Sequence, residues 1–189
     1  MYEILAYVTG AISIAVALLT FAFPQRKTQL IFKMSSDLIG ISNLVFILLA
    51  KNNMVFLSGI ISLAISFLRD IVYIFRNDVK CFNSIFWPIG FSIALVCMAF
   101  LSFKGWVSLL PIVGSVICTL TLYANDVRIS KTGAIVGITL YIIYYAILIP
   151  TSDVLTVFSL CNSIAGVVGA MVGLFLFLKK RKEGEKKAS

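Results

Sequence analysis

Asn162 is the one strong hydrogen-bonding side chain in a long charge-free stretch, Val154 to Leu178, with Ser159 and Ser163 close by. A carboxamide offers two donors and an acceptor, suited to the hydroxyl or amide groups of a polar ligand. Two readings stand open: ligand contact, or an interhelical bond worth about 0.6–2 kcal/mol in lipid. Asn43, with Ser42 beside it and Ser36 and Gly40 nearby, poses the same choice in another apolar stretch. Tyr141, Tyr144 and Tyr145 follow i, i+3, i+4 spacing and project to one side of a helix. They could stack on a sugar ring or planar base, or form an interfacial aromatic belt; Tyr141 is the deepest of the three. Ser115, Cys118, Thr119 and Leu122 share a helical face, and Thr9, Ser13 and Thr20 occupy similar ground near the amino terminus. Small hydroxyls of this kind often bond their own helix backbone.

Charge inside apolar sequence is confined to a few positions. Arg69 and Asp70 are adjacent, and helical neighbours point about 100° apart, so each is expected to find a separate partner. Asp37 is the candidate for Arg69, or else caps its own helix after Ser35 and Ser36. Arg69 itself either reaches back to the interface or forms a gate in a solute pathway. Histidine is absent, and the cysteines at 81, 97, 118 and 161 lack CxxC spacing. That pattern argues against a metal, a cofactor and a disulfide framework. With no nucleophile–base pair in view, it argues against an enzyme too.

The elements that must position these residues are membrane helices. Of 189 residues, 60% are hydrophobic and 13% charged, far from the balance of a soluble domain. The expected fold is all-α and integral to the membrane. Breaks at charges and prolines give seven transmembrane spans: Ile4 to Phe23, Met34 to Ala50, Met54 to Phe75, Phe82 to Phe103, Trp106 to Ala124, Thr132 to Ile149, and Val154 to Leu178. The second is short and carries Asp37 and Asn43, which suits the bundle interior. The first run lacks a basic flank and a cleavage site, so it is expected to remain as a helix. Arg26, Lys27 and Lys33 follow the first span, Arg76 and Lys80 the third, Arg128 and Lys131 the fifth, and a lysine-rich tail the seventh; only Lys51 and Lys104 lie opposite. This bias puts the amino terminus outside and the carboxyl terminus in the cytoplasm. It also explains the net charge of +8 through membrane orientation, without nucleic acid.

Laid out as three, one, three, the spans show a weak repeat. Gly40 pairs with Gly137 and Ser62 with Asn162 at nearly equal offsets. The expected units are a first three-helix bundle (1–80), a linker helix (81–105), a second bundle (106–178) and a basic cytoplasmic tail (179–189). An odd linker makes this a parallel repeat. Gly133 with Gly137, and Gly169 with Gly173, fit GxxxG, which serves close packing or a homodimer.

The 3+1+3 plan resembles the SWEET sugar transporters and their PnuC and PQ-loop relatives. More closely, Leu109-Leu110-Pro111-Ile112-Val113-Gly114-Ser115 with Thr119, and Asp37-Leu38-Ile39-Gly40-Ile41-Ser42-Asn43 followed by Ser66 and Arg69, resemble the YgjV family of bacterial inner-membrane proteins. The resemblance implies a bacterial cytoplasmic membrane and a SWEET-like fold. In SWEET-like proteins an Asn midway along the third and seventh helices faces the substrate; here those places fall to Ser62 and Asn162. Pro24-Gln25 sits where a PQ-loop hinge would, although Ser36 and Gly40 arrive later after Lys33 than that motif has them. Its alternative is a simple helix stop.

Together these residues imply a transporter for a small uncharged polar solute such as a sugar or nucleoside-like vitamin. Asn162, Asn43, Ser62, Ser66, Tyr141, Ser115 and Thr119 would contact the solute, with Pro24, Gln25, Arg69 and Asp37 at gate or hinge. Acids near the loops favour facilitated diffusion. The alternative is a receptor or accessory subunit that does not transport.

Overall fold

A computed structural model describes residues 2–23, 25–51, 55–101, 106–124, 126–148 and 154–188. Among them are seven α-helices: α1 (Tyr2–Ala22), α2 (Arg26–Lys51), α3 (Val55–Ile74), α4 (Phe86–Leu101), α5 (Leu109–Tyr123), α6 (Val127–Leu148) and α7 (Val154–Ala188). Proline falls where a missing N–H costs nothing: Pro88 and Pro111 occupy the first turns of α4 and α5. Pro24 lies outside the described residues. Gln25, just before α2, takes a hydrogen bond from Thr28 Oγ1 at 3.2 Å through its side chain and from the Gln29 amide at 3.0 Å through its carbonyl. It opens the helix and does not reach the interior.

Two helices start earlier than the hydropathy reading had them. The expected second and sixth spans begin at Met34 and Thr132, whereas α2 begins at Arg26 and α6 at Val127. Basic residues end a hydropathy window, yet Lys and Arg are good helix formers, and here their charges are absorbed by the bundle. Arg26 Nη2 donates to the Leu122 carbonyl at 3.3 Å, and Lys33 pairs with Asp37. Lys131, read as a loop cation, is fully buried, with Nζ donating to the carbonyls of Phe21 and of Phe23, the latter at 2.8 Å. At the other extreme α4 is shorter than Phe82 to Phe103, because residues Lys80–Asn83 wind into a 3-10 turn before it. The tail expected from 179 is the continuation of α7.

Each helix packs chiefly on its neighbours in the chain, and α7 closes onto α1, so the seven form a ring. α4 is thereby a ring member between α3 and α5. The apolar core gathers where α1, α3 and α5 end and α2 and α6 begin: Phe21, Leu30, Val72, Tyr73, Leu122, Ala134 and Ala170. Outward faces remain apolar, as with Ile4, Val8 and Ile12 on α1 or Val136, Ile143 and Ile147 on α6. Tyr2–Ala22, Arg26–Leu49, Val127–Ile147 and Val157–Arg181 are long and apolar enough to cross a membrane, with Phe86–Met98 and Leu109–Tyr123 shorter. At about 1.5 Å per residue, a 21-residue helix covers about 30 Å of hydrocarbon.

Both GxxxG pairs are used inside the chain. A Cβ on Gly137 would meet Cys118 Sγ and the Gly114 carbonyl of α5, and one on Gly169 would run into the Leu18 carbonyl of α1. Backbone cannot step aside as a side-chain tip can, so Gly169→Ala should lower thermal stability by about 1–3 kcal/mol. Gly90 on α4 has open space around it. Gly90→Ala should therefore leave stability unchanged or raise it by up to about 1 kcal/mol, the helix propensity gained. Melting the two purified variants beside the parent checks both signs.

Candidate functional site

The ring surrounds a half-open cavity of about 640 Å³. Six helices turn polar groups into it: Ser13 and Thr20 from α1, Ser36, Asp37 and Asn43 from α2, Ser62, Ser66 and Arg69 from α3. The second half adds Ser115 and Cys118 from α5, three tyrosines from α6, and Ser159, Asn162 and Ser163 from α7. Of the residues expected to touch a solute, Asn162, Asn43, Ser62, Ser66, Tyr141 and Ser115 all line this one space.

Asn162 makes the interhelical bond and also faces the cavity. Its Oδ1 accepts from Ser13 Oγ at 3.2 Å, joining α7 to α1, while the residue lines the cavity. Asn43 leans toward a structural role: its Nδ2 donates to the Ala6 carbonyl at 2.6 Å and to Thr9 Oγ1 at 3.0 Å. Ser115 and Tyr141 share a hydrogen bond across α5 and α6. Tyr144 and Tyr145 also border the cavity, with ring centroids 5.2 Å apart, so the structure assigns the whole triplet to the interior face of α6. Gly114 and Gly137 bring α5 and α6 so close that the Tyr141 ring lies along the contact.

Thr119 is a correction. It is fully buried behind the cavity wall, where its Oγ1 accepts from Arg69 Nη1 at 3.0 Å and its carbonyl accepts from Tyr73 Oη at 3.2 Å. It positions Arg69 and does not border the space itself.

The charged group differs most from expectation. Arg69 is 3% exposed and pairs with its own neighbour Asp70, Nε and Nη2 each 2.8 Å from Oδ1. The long guanidinium stem folds back along α3, and in a low-dielectric interior the nearest carboxylate prevails despite the helical offset. Arg69 thus neither reaches the interface nor bonds Asp37. Asp37 lies well inside α2, not at its start, so it caps nothing. It is 4% exposed and its Oδ1 takes the ammonium of Lys33, one turn earlier. Lys33 Nζ stands 4.0 Å from Asp70 Oδ2 as well. Both acids are therefore buried within the bundle. Sequence reading missed Lys33 because a lysine beyond a span end looks like a loop cation; its i, i+4 spacing to Asp37 was the available signal.

At the end of the ring where the core lies, cations also close the carbonyl ends of helices, where the dipole favours them. Lys131 of α6 holds the end of α1, and Arg26 of α2 holds Leu122 near the end of α5. Arg76 adds a bond to the Tyr123 carbonyl and stacks 3.6 Å over that ring. Gln29 Nε2 donates to Ser130 Oγ at 3.3 Å across the same end.

No curated protein matches the chain, and no solved structure does. One family covers most of its length, matching residues 4–165. With apolar helices of membrane-crossing length around a polar interior, the chain belongs to the Imp-YgjV family of bacterial inner-membrane proteins.

Proposed function

We infer that this protein carries a small polar solute across the bacterial inner membrane by alternating access, through the cavity inside its helix ring. The observation that carries the reading is the cavity itself. About 640 Å³ falls within the usual range of small-molecule sites; both halves of the chain lend it hydroxyl and amide groups, and α6 adds phenols. A membrane protein has no packing reason to keep so many polar side chains around empty space.

Seven spans in a SWEET-like 3+1+3 plan, amino terminus outside, suit the contacts. α2 packs between α1 and α3 as α6 packs between α5 and α7, and α4 fills the gap where α3 and α5 would meet. The closing cations follow the same plan. Phe21 and Leu122 are separated by the 101 residues that also separate Gln29 from Ser130. Each of those carbonyls is held by a cation from the second helix of the opposite half. Two bundles, 1–80 and 106–178, joined along α1 and α7 and clasped reciprocally at the core end, would alternate by sliding or rocking at the α1–α7 seam.

The test is uptake. Purified protein in liposomes should admit radiolabelled glucose or uridine faster than protein-free liposomes do. Rates equal to the protein-free control for both probes, and for a wider panel of uncharged sugars and nucleosides, would remove the reading.

A further inference from the structure

The four charges at the core end of the cavity form a group that solute recognition alone does not explain. Lys33 and Arg69 balance Asp37 and Asp70, so the group is neutral as it stands. Its two acids are held unequally. Asp70 has Arg69 on Oδ1 through two nitrogens, whereas Asp37 has Lys33 alone on Oδ1. Asp37 Oδ2 is buried without a hydrogen-bond partner, and the residue borders the cavity. Asp70 Oδ2 likewise accepts no hydrogen bond, but Lys33 Nζ is already 4.0 Å away. One ammonium thus stands between two carboxylates and can serve either.

We propose that Asp37 is a proton-binding site at the inner end of the cavity, and that protons drive solute movement through it. A rotation of the carboxyl brings the buried Oδ2 to the cavity that Asp37 borders, a proton from water there binds it, Asp37 becomes neutral, and Lys33 shifts its pairing to Asp70 Oδ2. When Lys33 returns, that proton leaves to water on whichever side the cavity then faces. The shift moves α2 against α3, the contact that Gly40 makes close, where a Cβ would stand 3.0 Å from Leu63 Cδ1. A metal cation is a poor alternative occupant, because two fixed positive charges already share the group. The ionisable groups facing Asp37 are Lys33 on its own helix and Asp70 and Arg69 on α3. Tyr73 of α3 and Cys118 of α5 adjoin Arg69. Toward this end α1 presents Ala17, Thr20 and Phe21, and α4 presents Leu95; among the described residues these two helices place no ionisable group there.

The coupling half of this proposal rests on the cavity being a solute path; the proton site does not. Infrared titration of the purified protein in lipid nanodiscs reads the site directly. From neutral to mildly acid pH a carboxylic-acid carbonyl band should grow in the parent, be lost in Asp37→Asn, and persist in Asp78→Asn, whose residue is exposed. Should Asp37→Asn fail to fold, Lys33→Met with Asp37→Leu removes both charges, and the band should be lost there too. No band in the parent, or a full band without Asp37, overturns the proposal. Coupling is read with whichever probe, glucose or uridine, the liposomes admit. A one-unit pH difference should drive about ten-fold accumulation for one proton per solute, and Asp37→Asn should only equilibrate. Equilibration by the parent overturns coupling while transport stands. If neither probe moves, the solute path is what falls, and the infrared result still decides the site.

Discussion

Arg69→Met is expected to destabilise the protein by about 3–5 kcal/mol, the usual result of removing one partner from a buried charge pair. Asp70 is fully buried and depends on Arg69 Nε and Nη2. Without them its nearest cation is Lys33 at 4.0 Å, which already serves Asp37. The same substitution frees Thr119 Oγ1 and so loosens α3 from α5. Arg69→Lys should recover only part of the loss, since one ammonium cannot grip a carboxylate twice and reach Thr119 as well. Arg69→Met combined with Asp70→Leu should recover most of it, because no orphaned charge remains. Thermal melts of the four proteins in one detergent check the order. A single variant as stable as the parent would mean that the charges are solvated after all.

Asn162→Ala should lower solute uptake by about ten- to a hundred-fold, the effect of losing about 1–3 kcal/mol of hydrogen bonding to a bound ligand. Stability should fall far less, since the side-chain bond lost among the described residues is the 3.2 Å contact from Ser13, worth about 0.6 kcal/mol for such pairs in membranes. That separation is the point of the variant. Uptake and melting temperature are to be measured on the same preparation. If both fall together, Asn162 is a brace between α7 and α1 and nothing more.

Much of this site could be read in the residues before the structure. Polar side chains inside apolar runs have few places to go, and Asn162, Asn43, Ser62, Ser66, Ser115 and Tyr141 went to the common interior. The helices were legible too, as long apolar runs bounded by charges and prolines. Helix starts were not, because hydropathy treats Arg26, Lys33 and Lys131 as ends of spans, while each finds an acceptor within the bundle. Partner choice was least legible. Arg69 has a carboxylate next to it in sequence and another one helix away, and only the packing of α2, α3 and α5 determines which it takes. Thr119 and Ser115 share a helical face, yet Arg69 and Tyr73 of α3 cover Thr119, which leaves Ser115 on the cavity and Thr119 behind its wall.

Transport through this ring requires water-accessible space inside it at membrane depth. Ile61 and Ser62 test it side by side on α3, the first exposed on the outer face and the second on the cavity. In a cysteine-free background, Ser62→Cys should react with a membrane-impermeant methanethiosulfonate reagent, and Ile61→Cys should stay inert in lipid. Two inert thiols, or the outer one reacting faster, would contradict the account.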